Sequence, residues 1–231
     1  EAGKGAPVVL LHGLGASSYS WRGVWPELSR SHHVIAPDWP GFGRSGAPPA
    51  HDYSIAGQSR WLCAFLDHLG MPAASLAGNS MGGAIALMTA MDAPARVRRL
   101  ALLGVPVYAD AGPRILGLLR WPLVGKACES LIGPAAVRLV GRAAYKDPSI
   151  LTRDVVDEYS ISLRHPEGRR ALAQFLRRPI PPDIHERMKR YPELGHEILM
   201  ICGDSDGILS LPDARRFCRE RAKFACPSAI R

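Results

Sequence analysis

The stretch from Ala73 to Met91 constrains this chain more than any other. An apolar run, Ala73 to Ala77, enters Gly78-Asn79-Ser80-Met81-Gly82-Gly83, and a run of small and apolar residues, Gly83 to Met91, leaves it. Ser80 therefore stands where a strand turns into a helix. So tight a turn has no room for side chains on either flank of the serine, which is what glycine at 78 and 82 supplies. The strain lifts the Ser80 hydroxyl clear of the fold, as a nucleophile requires. The Met81 N–H opens the helix, where the dipole and an unpaired donor can meet negative charge growing on a substrate oxygen. Gly-x-Ser-x-Gly is a short pattern, and its weight here comes from context: a strand before it, a helix after it and a further glycine at 83.

The rest of the chain repeats that alternation. Pro7 to Leu11 is an apolar run without alternation, as in a strand covered on both faces. It ends in His12-Gly13-Leu14-Gly15, a loop able to fold over the sheet edge, and the Leu14 N–H is the candidate partner of Met81 in an oxyanion hole. His12, beside the turn glycine Gly13 and ahead of the serine, reads as a structural histidine bonded to backbone. Trp21, Val24, Trp25 and Leu28 predict a helix from Tyr19 to Ser29, and His33 to Ala36 a second strand. In the loop Pro37 to Ser45, Asp38 reads as a brace rather than a catalytic acid. Ser54 is an N-cap for a helix to about Leu69, stopped by Gly70, and Arg99 to Gly104 is another buried strand. Strands and helices alternating in this way predict an α/β fold: a mostly parallel twisted sheet with helices on both faces and sites at the strand carboxyl ends.

Residues 107 to 190 break the rhythm. They carry helical apolar patterns punctuated by Pro122, Pro134, Pro148, Pro166 and Pro179. At 231 residues and 47% hydrophobic, the chain suits one core with a large insertion better than two domains. The expected division is a core of 1–106 and 191–231 with a helical cap, 107–190, whose apolar ceiling would suit a small apolar acyl or aromatic substrate. No apolar run is long enough to span a bilayer and none reads as a secretory leader, so a cytoplasmic location is expected. The five cysteines lack metal-ligand spacing and read as reduced and structural. The net charge of +8 comes largely from scattered arginines, without the basic, aromatic stripe that a nucleic-acid partner demands. Oligomeric state is not readable.

His12-Gly13-Leu14-Gly15, Asp38 to Ser45, Gly78-Asn79-Ser80-Met81-Gly82-Gly83 and Gly203-Asp204-Ser205-Asp206, in this order, resemble the α/β-hydrolase family. The likeness is to its esterase and meta-cleavage-product hydrolase branches and covers nearly everything outside 107–190. Serine at 80 argues against the haloalkane dehalogenase and epoxide hydrolase branches, which carry aspartate there. The resemblance implies a cap over the site, no cofactor or metal, and a triad in the order serine, acid, histidine. Asp206, past the strand Glu197 to Cys202, matches the acid position; Asp204 reads as a turn residue.

After a helix from Pro212 to Arg221, Ala222 to Cys226 looks like the start of one more strand. The family histidine should follow it, yet no histidine follows His196. Because Lys223 to Ile230 resembles the strand and turn leading up to that histidine, it is expected at or just past residue 232, in a chain trimmed at both ends. A catalytically inactive relative that binds ligand is the alternative; recruitment of His165, His185 or His196 is disfavoured by their places in the chain. The expected activity is a serine-nucleophile hydrolase of apolar carboxyl esters or similar acyl substrates, with carbon–carbon bond hydrolysis of the meta-cleavage-product type as the alternative.

Overall fold

The computed structural model describes residues 1–108, 133–177, 180–203, 206, 211–220 and 228–230. Within them lie strands β1 (Ala6–Leu11), β2 (His32–Ile35), β3 (Ala74–Asn79), β4 (Val97–Leu103), β5 (Glu197–Gly203) and β6 (Ser228–Ile230). They form one sheet in the order β2-β1-β3-β4-β5-β6, every neighbouring pair parallel. All the strand carboxyl ends therefore open on one edge. The described helices are α1 (Trp25–Leu28), α2 (Ile55–His68), α3 (Met81–Asp92), α4 (Pro134–Ala144), α5 (Arg153–Tyr159), α6 (Pro166–Arg177), α7 (Ile184–Lys189) and α8 (Leu211–Glu220).

The uninterrupted apolar run of β1 is explained by burial on two sides. Val9 and Leu11 enter the main core with Leu62 and Leu66 of α2, Ile85 of α3 and Phe217 of α8. Leu10 points the other way, into a smaller cluster with Trp21, Val34, Trp25 and Leu28. Successive side chains of a strand alternate faces, so helices on both sides turn alternation of direction into continuous hydrophobicity. The Ser54 cap holds as expected: its hydroxyl accepts from Gly57 N at 3.1 Å and starts α2.

One expected element is different. In place of a helix from Tyr19 to Ser29 the chain makes a 3-10 turn, Ser18–Trp21, and the four-residue α1. Pro26 is the reason: it has no N–H to give and its ring excludes the carbonyl four residues back, so it is tolerated only in the first turn of a new helix. The strand expected over 222–226 lies outside the described residues.

Helix α3 is buried along nearly all its length, from Met81 to Met91 apart from Ala84. Its polar residue Thr89 donates to Ile85 O at 2.8 Å and so can only accept from Ser59 Oγ, 2.8 Å away on α2. Thr89→Val leaves that buried serine hydroxyl without its acceptor and is expected to cost about 1–3 kcal/mol, read as a lowered urea midpoint at unchanged slope.

Between β4 and β5, the described helices are tied to the sheet layer at particular points. Arg44 grips Glu158 of α5 with two bonds of 2.8 and 2.9 Å, and Ser20 Oγ meets Tyr159 OH at 3.0 Å. Leu163, Leu172 and Phe175 join the buried cluster that holds Trp39 and Phe42. Arg187 of α7 pairs with Asp92 at 2.6 Å, at the carboxyl end of α3. Twelve residues of helix separate that end from Ser80, about 18 Å. Among the described residues no helix is long and apolar enough to cross a membrane.

Candidate active site

Ser80 sits between the last residue of β3 and the first of α3, with φ +50° and ψ −116°. Among the described residues no other non-glycine has a positive φ. Such a conformation costs about 1–3 kcal/mol and persists only when neighbours impose it. They do so by hydrogen bonds on both sides: Ser80 N donates to Leu103 O on β4 at 2.9 Å, and Ser80 O accepts from Ala84 N at 3.0 Å. A Cβ at Gly78 would fall on the backbone of Gly82 and Gly83, and one at Gly82 on the carbonyls of Leu11 and His12. The crossing of β1, β3 and α3 at this point is therefore closer than any side chain permits. The Ser80 side chain is half-buried and hydrogen-bonded to no described residue, and the Met81 N–H begins α3 without an intrahelical acceptor.

The loop after β1 lies against this turn. A Cβ on Gly13 would stand 2.9 Å from Asn79 Oδ1 and 3.4 Å from Ser80 Cβ. Its shape is set by His12, which is fully buried. Trp39 N donates to His12 Nε2 at 3.1 Å, so that nitrogen is the acceptor and Nδ1 carries the proton, which it donates to Gly13 O at 2.9 Å. The Gly13 carbonyl and the Leu14 N–H belong to one planar trans peptide and point in opposite directions, so anchoring the carbonyl to the ring turns the Leu14 N–H away from it. Both ring nitrogens are engaged, and His12 is a backbone-bonded structural histidine.

Burial is the main reason that the His12 pKa falls below its ordinary 6.5, against the weaker upward pull of the Gly13 bond and of Asp38. The folded state therefore binds fewer protons than the unfolded chain, so stability is present above about 6.5 and is lost as pH falls below it. The expected result is a melting temperature that drops from pH 7.5 to 5.5, with a shallower drop in His12→Gln. Equal slopes would remove His12 from the account.

Asp38 braces the neighbouring loop. Its carboxylate accepts from Ser18 N at 2.6 Å and Arg44 N at 2.8 Å, and its carbonyl accepts from Ser45 Oγ at 2.7 Å. Gly43, at φ +53°, is needed because a Cβ there would strike that carboxylate.

Asp206 follows β5, its N–H donating to Gly203 O at 3.3 Å. Its carboxylate reaches over the carboxyl end of β4: a Cβ on Gly104 would be 3.1 Å from Asp206 Oδ2 and 3.8 Å from Asn79 Nδ2. Asn79 in turn donates to Leu103 O at 3.0 Å. The residues flagged at 12–14, 78–82 and 206 thus converge on one corner, although they come from three separated stretches. Gly104, with φ +55°, is the site residue that the sequence reading passed over. A glycine ending an apolar strand at the same edge as the serine was the available signal. Asp204 lies outside the described residues.

The histidines sit elsewhere or are engaged. His32 and His33 begin β2, and His196 precedes β5 with Nε2 on Pro94 O at 3.1 Å, all at the amino edge of the sheet. His68 closes α2 and His185 lies in α7. His51 bonds Gln58 Oε1 at 3.3 Å with its ring edge-on to Tyr53, and His165 is exposed at the start of α6. Among the described residues no group of three or more His, Cys, Asp or Glu side chains could hold a metal ion.

Comparison with known proteins identifies the fold family. The family model described as alpha/beta hydrolase fold matches residues 6–174. The dihydrolipoyllysine-residue acetyltransferase component of the acetoin cleaving system of Pseudomonas putida is 32% identical over 213 residues, 92% of this chain and 55% of that protein. The 2-hydroxy-6-oxo-2,4-heptadienoate hydrolase of Pseudomonas putida (strain F1) is 45% identical over 107 residues, 45% of this chain and 39% of that one. The chain thus spans about half the length, or less, of these curated relatives. A solved putative alpha/beta hydrolase from Nostoc sp PCC 7120 superposes with a TM-score of 0.84 at 25% identity, covering 99% of this chain and 84% of that chain. The chain belongs to the α/β-hydrolase fold family.

Proposed function

We propose that the protein is a serine hydrolase of apolar carboxyl esters or similar acyl substrates. The observation that carries this reading is Ser80: a strained, half-buried serine at a strand-to-helix turn, its side chain hydrogen-bonded to no described residue. Its Oγ attacks the acyl carbon, its proton passes to a base, and the Met81 and Leu14 amides hold the oxyanion. Collapse of that intermediate expels the alcohol with the proton from the base, and water then releases the acyl enzyme by the same route.

Asp206 is the carboxylate that orients the base. Strand β6 pairs with β5 up to Gly203↔Ile230, so its carboxyl end lies at the level of Gly203, three residues before Asp206 in the chain. Residues 107–190 are read as the cap. The Arg44–Glu158 and Ser20–Tyr159 contacts support this, as does the shared burial of Phe175 with Trp39. Residues 109–132 of that segment lie outside the described residues. Helix α7, at the far end of α3, takes no part in the ceiling.

A second reading, hydrolysis of a carbon–carbon bond in a vinylogous diketo acid, is favoured by the name of the relative 45% identical over 107 residues. Both readings use the same serine. p-Nitrophenyl esters against a dienoate substrate separate them, with Ser80→Ala as the control. Ligand-induced thermal stabilisation without any Ser80-dependent turnover would instead identify a binding protein.

A further inference from the structure

We propose that α4 docks the protein on an anionic phospholipid surface. The helix turns Gly141 inward, where a Cβ would press on Leu151, and packs Val137 against the main core. With 3.6 residues per turn, that orientation sends residue 139 outward and residue 140 to one flank. Leu139 is 71% and Val140 66% exposed, the most exposed of the large hydrophobic side chains described. Arg138 and Arg142, one turn apart, are exposed beside them. Neither is paired with a described carboxylate. From Gly133 to Lys146 the chain carries three basic residues and no acid.

This combination selects the occupant. A two-fold contact between copies would bring the arginines of both α4 helices together with no acid on the helix to neutralise them. A bilayer surface takes both features at once: the aliphatic side chains enter the headgroup boundary and the guanidiniums meet lipid phosphates. The inference is independent of the chemistry at Ser80.

The test is co-sedimentation of the 231-residue chain with vesicles of mixed phosphatidylglycerol and phosphatidylcholine, and of phosphatidylcholine alone, at low and high salt. Binding is expected on the anionic vesicles and to be about tenfold weaker or worse without phosphatidylglycerol or at high salt. Leu139→Glu with Val140→Glu should weaken it by about tenfold or more, and Arg138→Glu with Arg142→Glu should abolish the preference for anionic lipid. All four positions are exposed, so unchanged melting temperatures serve as the folding control. No binding to anionic vesicles, binding unaltered in both double variants, or a solution dimer split by Leu139→Glu would each overturn the proposal.

Discussion

Added imidazole is expected to raise ester turnover by the polypeptide 1–231 by about 10²-fold above the reaction of imidazole alone, and Ser80→Ala to erase that gain. The Ser80 hydroxyl has no described hydrogen-bond partner, and a neutral hydroxyl without a base is a poor nucleophile. On the proposed mechanism, imidazole entering beside Asp206 would supply a proton acceptor while Met81 and Leu14 meet the oxyanion. A fluorophosphonate probe gives the second readout: it should label the imidazole-activated wild-type protein at Ser80 and leave Ser80→Ala unmarked. A full rate without imidazole that survives Ser80→Ala would place the chemistry elsewhere.

Gly82→Ala is expected to be among the most damaging single methyl additions in the molecule, at about 3 kcal/mol or more, with loss of any Ser80-dependent activity. The added carbon would meet the carbonyls of Leu11, paired in the sheet, and of His12, whose carbonyl accepts from Trp39 Nε1 at 3.1 Å. Gly83→Ala meets the buried Val105 side chain and one backbone oxygen, Gly78 O at 2.8 Å, rather than two carbonyls at closer range, and is expected to rank second. Gly46→Ala, with nothing near the new carbon and no positive φ, is the control and should be close to neutral. Urea unfolding of the three variants ranks them. An equal cost at 82 and 46 would mean that the crossing of β1 and α3 is looser than described.

The serine turn was legible in the sequence because the physics there is local: a strand, a helix and the glycines between them are adjacent in the chain. The same holds for the Ser54 cap and the two-faced burial of β1. Asp206 was reached through resemblance, since nothing local distinguishes it from Asp204. Apolar spacing alone predicts the Tyr19–Ser29 helix, and Pro26 breaks it. Gly104 escaped because its importance depends on a carboxylate about one hundred residues away, a relation that only the paired carboxyl ends of β4 and β5 create. The arginine clamp between loop 38–45 and α5 was hidden for the same reason, its partners being 114 positions apart.

The serine follows the third of the six described strands, a strand hydrogen-bonded along both edges by neighbours that are themselves paired. Backbone so placed exchanges its amide protons only when the molecule opens as a whole, whereas outer segments open at lower free energy. The Ser80 turn is thus anchored at the end of a doubly paired inner strand. Under the proposed cap, whatever widening admits a ligand is drawn from segments outside that strand, so entry and exit can vary in rate without disturbing the turn at Ser80.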